Sequence, residues 1–185
     1  MKISLVCPTN YSGASATRGL YYPMGVLLVG SLVKDTFPTL DVRVIDGELH
    51  EMNELESMVS GSDILGLSAN TNNYQHCVHL ANFAKSQGTK FVVMGGPHAS
   101  AILRHGNKQM PMSNLILRNQ PDIDAVIVND GEHAFLKFVV ESKKSHPDYT
   151  KIDNLYWRNE SQLGSIQRNQ VILPTQPPRF VDINF

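Results

Sequence analysis

The stretch Phe91-Val92-Val93-Met94-Gly95-Gly96-Pro97-His98-Ala99-Ser100 decides the fold. A short apolar run halts at a Gly-Gly-Pro break and passes directly into a helix-like segment. Four β-prone or flexible apolar residues bounded by Gly and Pro predict a buried strand. A glycine pair at its C-terminal end lets backbone amides approach a ligand with no Cβ in the way. In open α/β sheets that edge is where ligands sit. A tight βα turn also favours glycine, so the pair by itself serves either purpose.

Working outward, apolar strand-like runs recur at Ile3–Cys7, Val42–Ile45, Ile64–Leu67 and Ala125–Val128. Helix-like segments lie between them. Pro23 suits the first turn of a helix through Met24–Lys34 that ends before Pro38. Glu51–Ser60 is a short acidic segment with carboxylates suited to a helix N-terminus. In Tyr74–Ser86 the apolar positions 74, 77, 78, 81 and 84 follow helical spacing. Glu132–Lys144 places Ala134, Phe135, Phe138 and Val139 on one side and ends in two lysines. This alternation predicts an α/β fold: a Rossmann-like, doubly wound, five-stranded parallel sheet with helices on both faces.

Two regions break the rhythm. Ala99–Asp124 is longer than one helix needs, and Met110-Pro111-Met112-Ser113 predicts a helix, a turn and a second short helix. Past Pro147, Leu155–Arg158 and Ser165–Val171 flank a turn and predict a β-hairpin. Leu173 onward is a Pro-rich extended segment. The expected organisation is a Rossmann-like domain over 1–146, a hairpin extension over 147–173 and a Pro-rich tail over 174–185.

Composition narrows the class. With 185 residues, 42% hydrophobic, the chain is long enough for one domain with a sizeable core. Sixteen basic against 17 acidic residues give no general attraction to nucleic acid or to an anionic membrane. No apolar window is long enough to span a bilayer, and the N-terminal apolar run is too short for a signal peptide. Cys7 and Cys77 are the two cysteines. Both fall in apolar-patterned segments, which predicts buried thiols in a reducing, cytoplasmic compartment.

In this topology every strand C-terminus points to one edge, where four loops converge: Pro8–Tyr22, Ser68–Asn73, Gly95–Ser100 and Asn129–Glu132. Small, neutral, hydrogen-bonding residues dominate, which suits a large, polar, nearly uncharged ligand. Nucleotide fingerprints are missing. No G-x-G-x-x-G follows a strand, Asp46 is a weak ribose signal without one, and Gly25…Gly30-Ser31 lacks the P-loop lysine and reads as helix packing. His76 and His79 share a helix face but have no carboxylate at i+4, so they read as surface histidines. Two cysteines cannot hold a three-cysteine iron–sulfur cluster. His98 is the histidine best placed for ligand contact or for capping its loop, and Glu132 reads as a first-turn helix carboxylate. No nucleophile–base pair is visible.

These stretches together resemble the N-terminal cobalamin (B12)-binding domain of B12-dependent radical S-adenosylmethionine enzymes. The resemblance is carried by Tyr22–Leu28 with Ser31–Lys34, Val44-Ile45-Asp46, Asp63–Ser68 with Thr71, Val92–Ser100, and Val128–Phe135. Asn154–Arg158 and Val181-Asp182-Ile183 are similar to what precedes the radical domain there. The resemblance implies cobalamin at the sheet's C-terminal edge with its nucleotide tail in the crevice. Ser68, Asn70 and Thr71 would serve the tail or corrin amides; Gly95, Gly96, Pro97, His98 and Ala99 would wall it; Asn129, Gly131 and Glu132 would close the far side. Asn129-Asp130 stands where the family has Gly-Glu. There is no D-x-H-x-x-G, so bound cobalamin is expected base-off without that histidine. The implied partner is a radical domain, in cis or in trans, with methyl transfer or related radical chemistry. The alternative is a cofactor-less relative acting as a docking module; an independent small-molecule enzyme ranks third.

Overall fold

The computed structural model describes residues 1–9, 22–105, 108–159 and 165–172. Most of the Pro8–Tyr22 loop, the 160–164 turn and the Pro-rich tail lie outside the described residues.

Five parallel strands form the heart of the sheet. In chain order they are β1 (Lys2–Cys7), β2 (Asp41–Asp46), β3 (Ile64–Ser68), β4 (Phe91–Gly95) and, after a small hairpin, β7 (Ala125–Ile127). Their spatial order is β2-β1-β3-β4-β7, all parallel. β1, β3, β4 and β7 show consecutive buried apolar residues, because helices cover both sheet faces, whereas in the edge strand β2 only Ile45 is buried. Side chains alternate between the two: Leu5 enters one core and Val6 the other.

One layer holds α1 (Met24–Thr36) and α6 (Glu132–Ser142), packed on Ile3, Leu5 and Val93. The other holds α2 (Met52–Val59), α3 (Tyr74–Ser86) and α5 (Met112–Asn119), packed on Val6, Leu65, Leu67 and Met94. Pro23 precedes α1, and the helix stops at Thr36, short of Pro38. A reciprocal capping box between Glu51 and Glu54 starts α2.

Past Pro147, β8 (Leu155–Asn159) and β9 (Ser165–Arg168) form the expected hairpin. It adds to the main sheet through antiparallel β7–β8 pairing, with Ala125 opposite Trp157, giving seven strands. Asn154 turns the chain into β8 with a positive φ of 63°, which asparagine tolerates better than branched residues.

The segment after Gly-Gly-Pro differs from the helix–turn–helix expectation. The first helix, α4 (Pro97–Ser100), is a single turn. A separate antiparallel ribbon follows, β5 (Ile102–His105) with β6 (Lys108–Pro111), before α5 begins at Met112. The physical cause is that each strand of the ribbon is four residues long, too short for an alternating pattern to declare itself. The more conspicuous Met-Pro-Met break hides it.

Candidate cofactor site

The strand order reverses direction beside β1 and β3, and the crevice at such a switch point is the natural ligand position. A slot of about 230 Å³ opens there, between α1 and α6 and over the C-terminal halves of β1, β3, β4 and β7. Its floor is apolar: Leu5, Val93 and Ile127 from strands, with Phe135 from α6 and Val26 and Val29 from α1. Its glycines are Gly25, Gly66, Gly95, Gly96 and Gly131. Polar groups belong to Ser68, Asn129, Asp130 and Glu132.

The register explains the shape. Leu5 of β1 and Val93 of β4 flank Gly66 of β3. A Cβ built on Gly66 would lie 2.5 Å from Leu5 Cδ2 and 3.3 Å from the Phe135 ring. The missing side chain therefore lets Leu5 and the Phe135 ring close over β3, where they help form the slot's apolar floor. One row further, Ser68 pairs with Gly95. On α1, a Cβ at Gly25 would meet nothing within 4 Å, whereas one at Gly30 would meet Val44 Cγ2 at 2.5 Å. Gly30 is thus a packing glycine, as its helical pattern predicts, while Gly25 is not, because it borders the slot.

The rim is held by backbone-directed hydrogen bonds. Gly96 has a φ of 93°, and a Cβ there would sit 2.6 Å from the Ala69 carbonyl oxygen and 3.1 Å from Ser68 Oγ. The Ala69 N–H donates to the Gly95 carbonyl and the His98 N–H to the Ala69 carbonyl, both at 2.9 Å. These bonds lock the loop after β3 against the turn after β4. Across the slot, the Asn129 N–H donates to Ser100 Oγ at 2.8 Å, and the Ser100 hydroxyl donates to the Gly96 carbonyl at 3.2 Å. Asn129 has a φ of 57°.

Of the residues singled out from sequence, Ser68, Gly95, Gly96, Asn129, Gly131 and Glu132 border the slot. Asn70, Thr71, Pro97, His98 and Ala99 do not. Asn70 Oδ1 accepts the Asn72 and Asn73 N–H groups, so this side chain shapes its own loop. Ala99 is fully buried beneath the turn. Pro97 opens the single turn of α4. His98 packs on Tyr74 with ring centroids 4.4 Å apart, and its Nδ1 lies 3.4 Å from Thr71 Oγ1. Burial holds the His98 imidazole below its usual pKa, favouring the neutral ring.

Asn73 was missed at the sequence level. It is fully buried; its Nδ2 donates to the Pro8 and Ser68 carbonyls at 3.0 and 3.2 Å, and its Oδ1 accepts the Asn70 N–H at 2.8 Å. One amide thus ties the ends of β1 and β3 together. An asparagine in an Asn-rich loop carries no sequence signal that separates it from its neighbours.

The remaining candidates take structural positions. His79 Nε2 pairs with Glu56 at 2.6 Å and His76 Nδ1 meets the Thr9 carbonyl at 2.9 Å. Asp46 accepts the Glu48 N–H and caps a short 3-10 turn. Both cysteines are free; Cys77 is fully buried and Cys7 partly so. Burial pushes the Cys7 thiol up to about 11, with Asp46 and Glu48 adding to it, and burial raises Cys77 further. Both thiols stay protonated at neutral pH. Among the described residues no group of three His, Cys, Asp or Glu side chains is arranged to hold a metal ion. No described helix is long and apolar enough to cross a membrane.

No family model matches the chain. It is 30% identical over 145 residues to an uncharacterized methyltransferase of Pyrococcus horikoshii, covering 75% of this chain and 29% of that protein. It is 26% identical over 122 residues to the 2-(S-pantetheinyl)-carbapenam-3-carboxylate methyltransferase of Streptantibioticus cattleyicolor, covering 65% of this chain and 16% of that protein. Among solved structures, it matches the radical S-adenosylmethionine methyltransferase TsrM of Kitasatospora setae, solved with tryptophan and a S-adenosylmethionine analogue. That match has a TM-score of 0.61 at 13% identity and covers 91% of this chain and 30% of the other. The chain therefore has a Rossmann-like fold also found in a methyltransferase, and it spans less than a third of each of these proteins.

Proposed function

We propose that this chain is the cobalamin-binding module of a B12-dependent radical S-adenosylmethionine enzyme, joined to the radical domain in cis or working with it in trans. The observation that carries the proposal is the glycine-lined slot between α1 and α6 at the carboxyl edge of the parallel sheet. Its volume is below the roughly 300–1,000 Å³ of a site that engulfs a whole drug-sized ligand, so it suits one arm of a larger cofactor. The apolar floor, with Leu5 and Phe135 packed over Gly66, suits an apolar group. Similarity to two methyltransferases supports methyl transfer as the chemistry of the whole enzyme.

In this assignment Gly66, Gly95 and Gly96 admit the nucleotide tail, Ser68 and Asn129 offer hydrogen bonds at the rim, and Gly131 and Glu132 close the α6 side. Residues 1–146 bear the cofactor, and the β8–β9 hairpin of the 147–173 extension braces the sheet. Bound cobalamin supplies a cobalt centre able to carry a methyl group. The chain lacks the D-x-H-x-x-G histidine, so the cofactor is held base-off. Two protonated, unpaired cysteines suit a cytoplasmic setting.

Reconstitution with hydroxocobalamin followed by gel filtration tests this function. Co-eluting pigment with a base-off absorption spectrum is expected; colourless protein overturns it. A second reading, a cofactor-less docking module, draws on the half-exposed Ile102, Leu103 and Met110 of the β5–β6 ribbon. Partner capture by colourless protein would favour it.

A further inference from the structure

We propose a second ligand site at the opposite edge of the sheet: a cavity that takes an uncharged nucleoside, a flat heteroaromatic whose edge sets a hydrogen-bond donor beside an acceptor. The proposal stands apart from the cobalamin reading, because it concerns other residues at the other end of the strands.

The cavity holds about 540 Å³, more than twice the slot and within the range of sites that enclose a small molecule. Its residues come from the foot of the sheet. Phe91 opens β4, Asp124 immediately precedes β7, and Trp157 and Arg158 lie towards the end of β8. Because β8 runs antiparallel to β7, its end reaches the edge where the parallel strands begin. Phe138 of α6 and Tyr149, from the segment beyond that helix, complete the wall. Tyr149 stacks on Phe138 with ring centroids 5.1 Å apart, and Trp157 meets Tyr149 edge-on at 6.4 Å. Aromatic walls of this kind favour a flat ring.

Two polar groups of this wall are left over by the fold. The Tyr149 hydroxyl is buried and has no hydrogen-bond partner among the described residues. Burial, with the Asp124 and Glu141 carboxylates adding to it, pushes the phenol up to about 12, so it keeps its proton and offers a donor. A buried donor without an acceptor is costly and calls for an explanation. Asp124 is the complementary group. Lys85 Nζ at 2.7 Å and the Val92 N–H at 2.6 Å both engage its Oδ2, which leaves Oδ1 as an acceptor. A donor beside an acceptor matches the edge of a nucleobase, where an amine adjoins a ring nitrogen or a carbonyl. The Tyr149 hydroxyl is closed to water, so its acceptor arrives with a ligand that tilts the ring. Tyr149 begins a short 3-10 turn, Tyr149–Lys151, with no buried residue, which permits that tilt.

Charge narrows the class. Arg158 is the one Lys or Arg side chain among the described lining residues, and its Nη2 donates to the Leu117 and Gln120 carbonyls. Asp124 and Asp148 both line the cavity. A phosphate would meet two carboxylates and an engaged cation, so the site favours a nucleoside over a nucleotide.

Trp157 is the chain's single tryptophan, so its fluorescence reports on this cavity. The experiment titrates the full chain with adenosine and with cytidine, exciting at the red edge of the indole band where the bases absorb least. A saturable change with at least one is expected; none with either overturns the site. For each nucleoside that binds, the riboside lacking the amine and the nucleoside monophosphate are both expected to bind about tenfold or more weakly. Equal or tighter binding of either overturns the assigned ligand class. Tyr149→Phe keeps the ring and its stacking, and is expected to weaken nucleoside binding about tenfold without lowering the thermal midpoint, since no bond within the fold is lost. A lowered midpoint or an unchanged affinity overturns the assignment of this hydroxyl to the ligand.

Discussion

The backbone N–H of Asn129 donates to Ser100 Oγ at 2.8 Å, joining the loop after β7 to the helical turn after β4. The Ser100 hydroxyl passes the bond on to the Gly96 carbonyl, so three segments of the rim form one hydrogen-bonded chain. Such chains polarise one another and hold their members in register. Ser100→Ala should therefore cost about 1 kcal/mol in urea unfolding. Asn129→Gly should be close to neutral, since φ of 57° suits both residues. Asn129→Val should cost about 1–3 kcal/mol, because a β-branched side chain is strained there. Equal stability of the Gly and Val variants would contradict the assigned backbone.

Asn73 presents a larger liability. Its amide serves two carbonyls and one N–H from a fully buried position. Asn73→Ala strands these groups and should destabilise by about 2–4 kcal/mol. Asn73→Asp keeps the acceptor, loses the donor and buries a carboxylate, so it should be no milder. Thermal unfolding by circular dichroism measures both.

Two glycines of the slot should respond in opposite directions to the same substitution. Gly96→Ala forces a Cβ onto the Ala69 backbone at a φ of 93°, and about 2 kcal/mol or more of stability should be lost. Gly25→Ala enters open space in the first turn of a helix. It should stabilise the fold by about 0.5–1 kcal/mol and yet, under the proposed function, weaken cobalamin binding, since the methyl group stands in the slot. Chemical denaturation and cofactor titration on the same samples separate the two effects.

Lys85 and Asp124 pair at 2.7 Å, each partly exposed, and the Val92 N–H also donates to the carboxylate. Burial raises the Asp124 pKa; Lys85 and the Val92 N–H hold it back without cancelling the rise. A carboxyl that keeps its proton longer when folded stabilises most below the usual carboxylate range, and that contribution is lost as pH rises through its folded value. Lys85→Met removes a lowering partner, so the loss extends to higher pH. The variant should be about 1–2 kcal/mol less stable than the parent at pH 7, and the gap should narrow on acidification towards about pH 4. A gap that widens on acidification would contradict the burial of Asp124.

Much of the framework was legible because parallel strands buried on both faces must be apolar throughout. Ile3–Val6, Ile64–Leu67 and Val92-Val93-Met94 carry that signal, and the helices between them carry a 3.6-residue period. The β5–β6 ribbon was not legible in the same way, since its strands are four residues long and Ile102, Leu103 and Met110 face outward. A period of two needs a buried face to show itself.

For the site, the amino-acid order alone determined that Gly95-Gly96-Pro97 closes a strand and that the polar loops after β3, β4 and β7 share its edge. Chain connectivity in an alternating β/α fold permits little else. Only the tertiary structure decided that Gly25, Gly66 and Phe135 bound the slot, that His98 turns aside onto Tyr74, and that Asn73 rather than Asn70 binds two strand ends together. Those outcomes depend on groups that meet across separations such as 24 residues for Tyr74 and His98, 65 for Pro8 and Asn73 and 69 for Gly66 and Phe135. Such meetings are set by sheet register and helix packing, and no local window of sequence contains them.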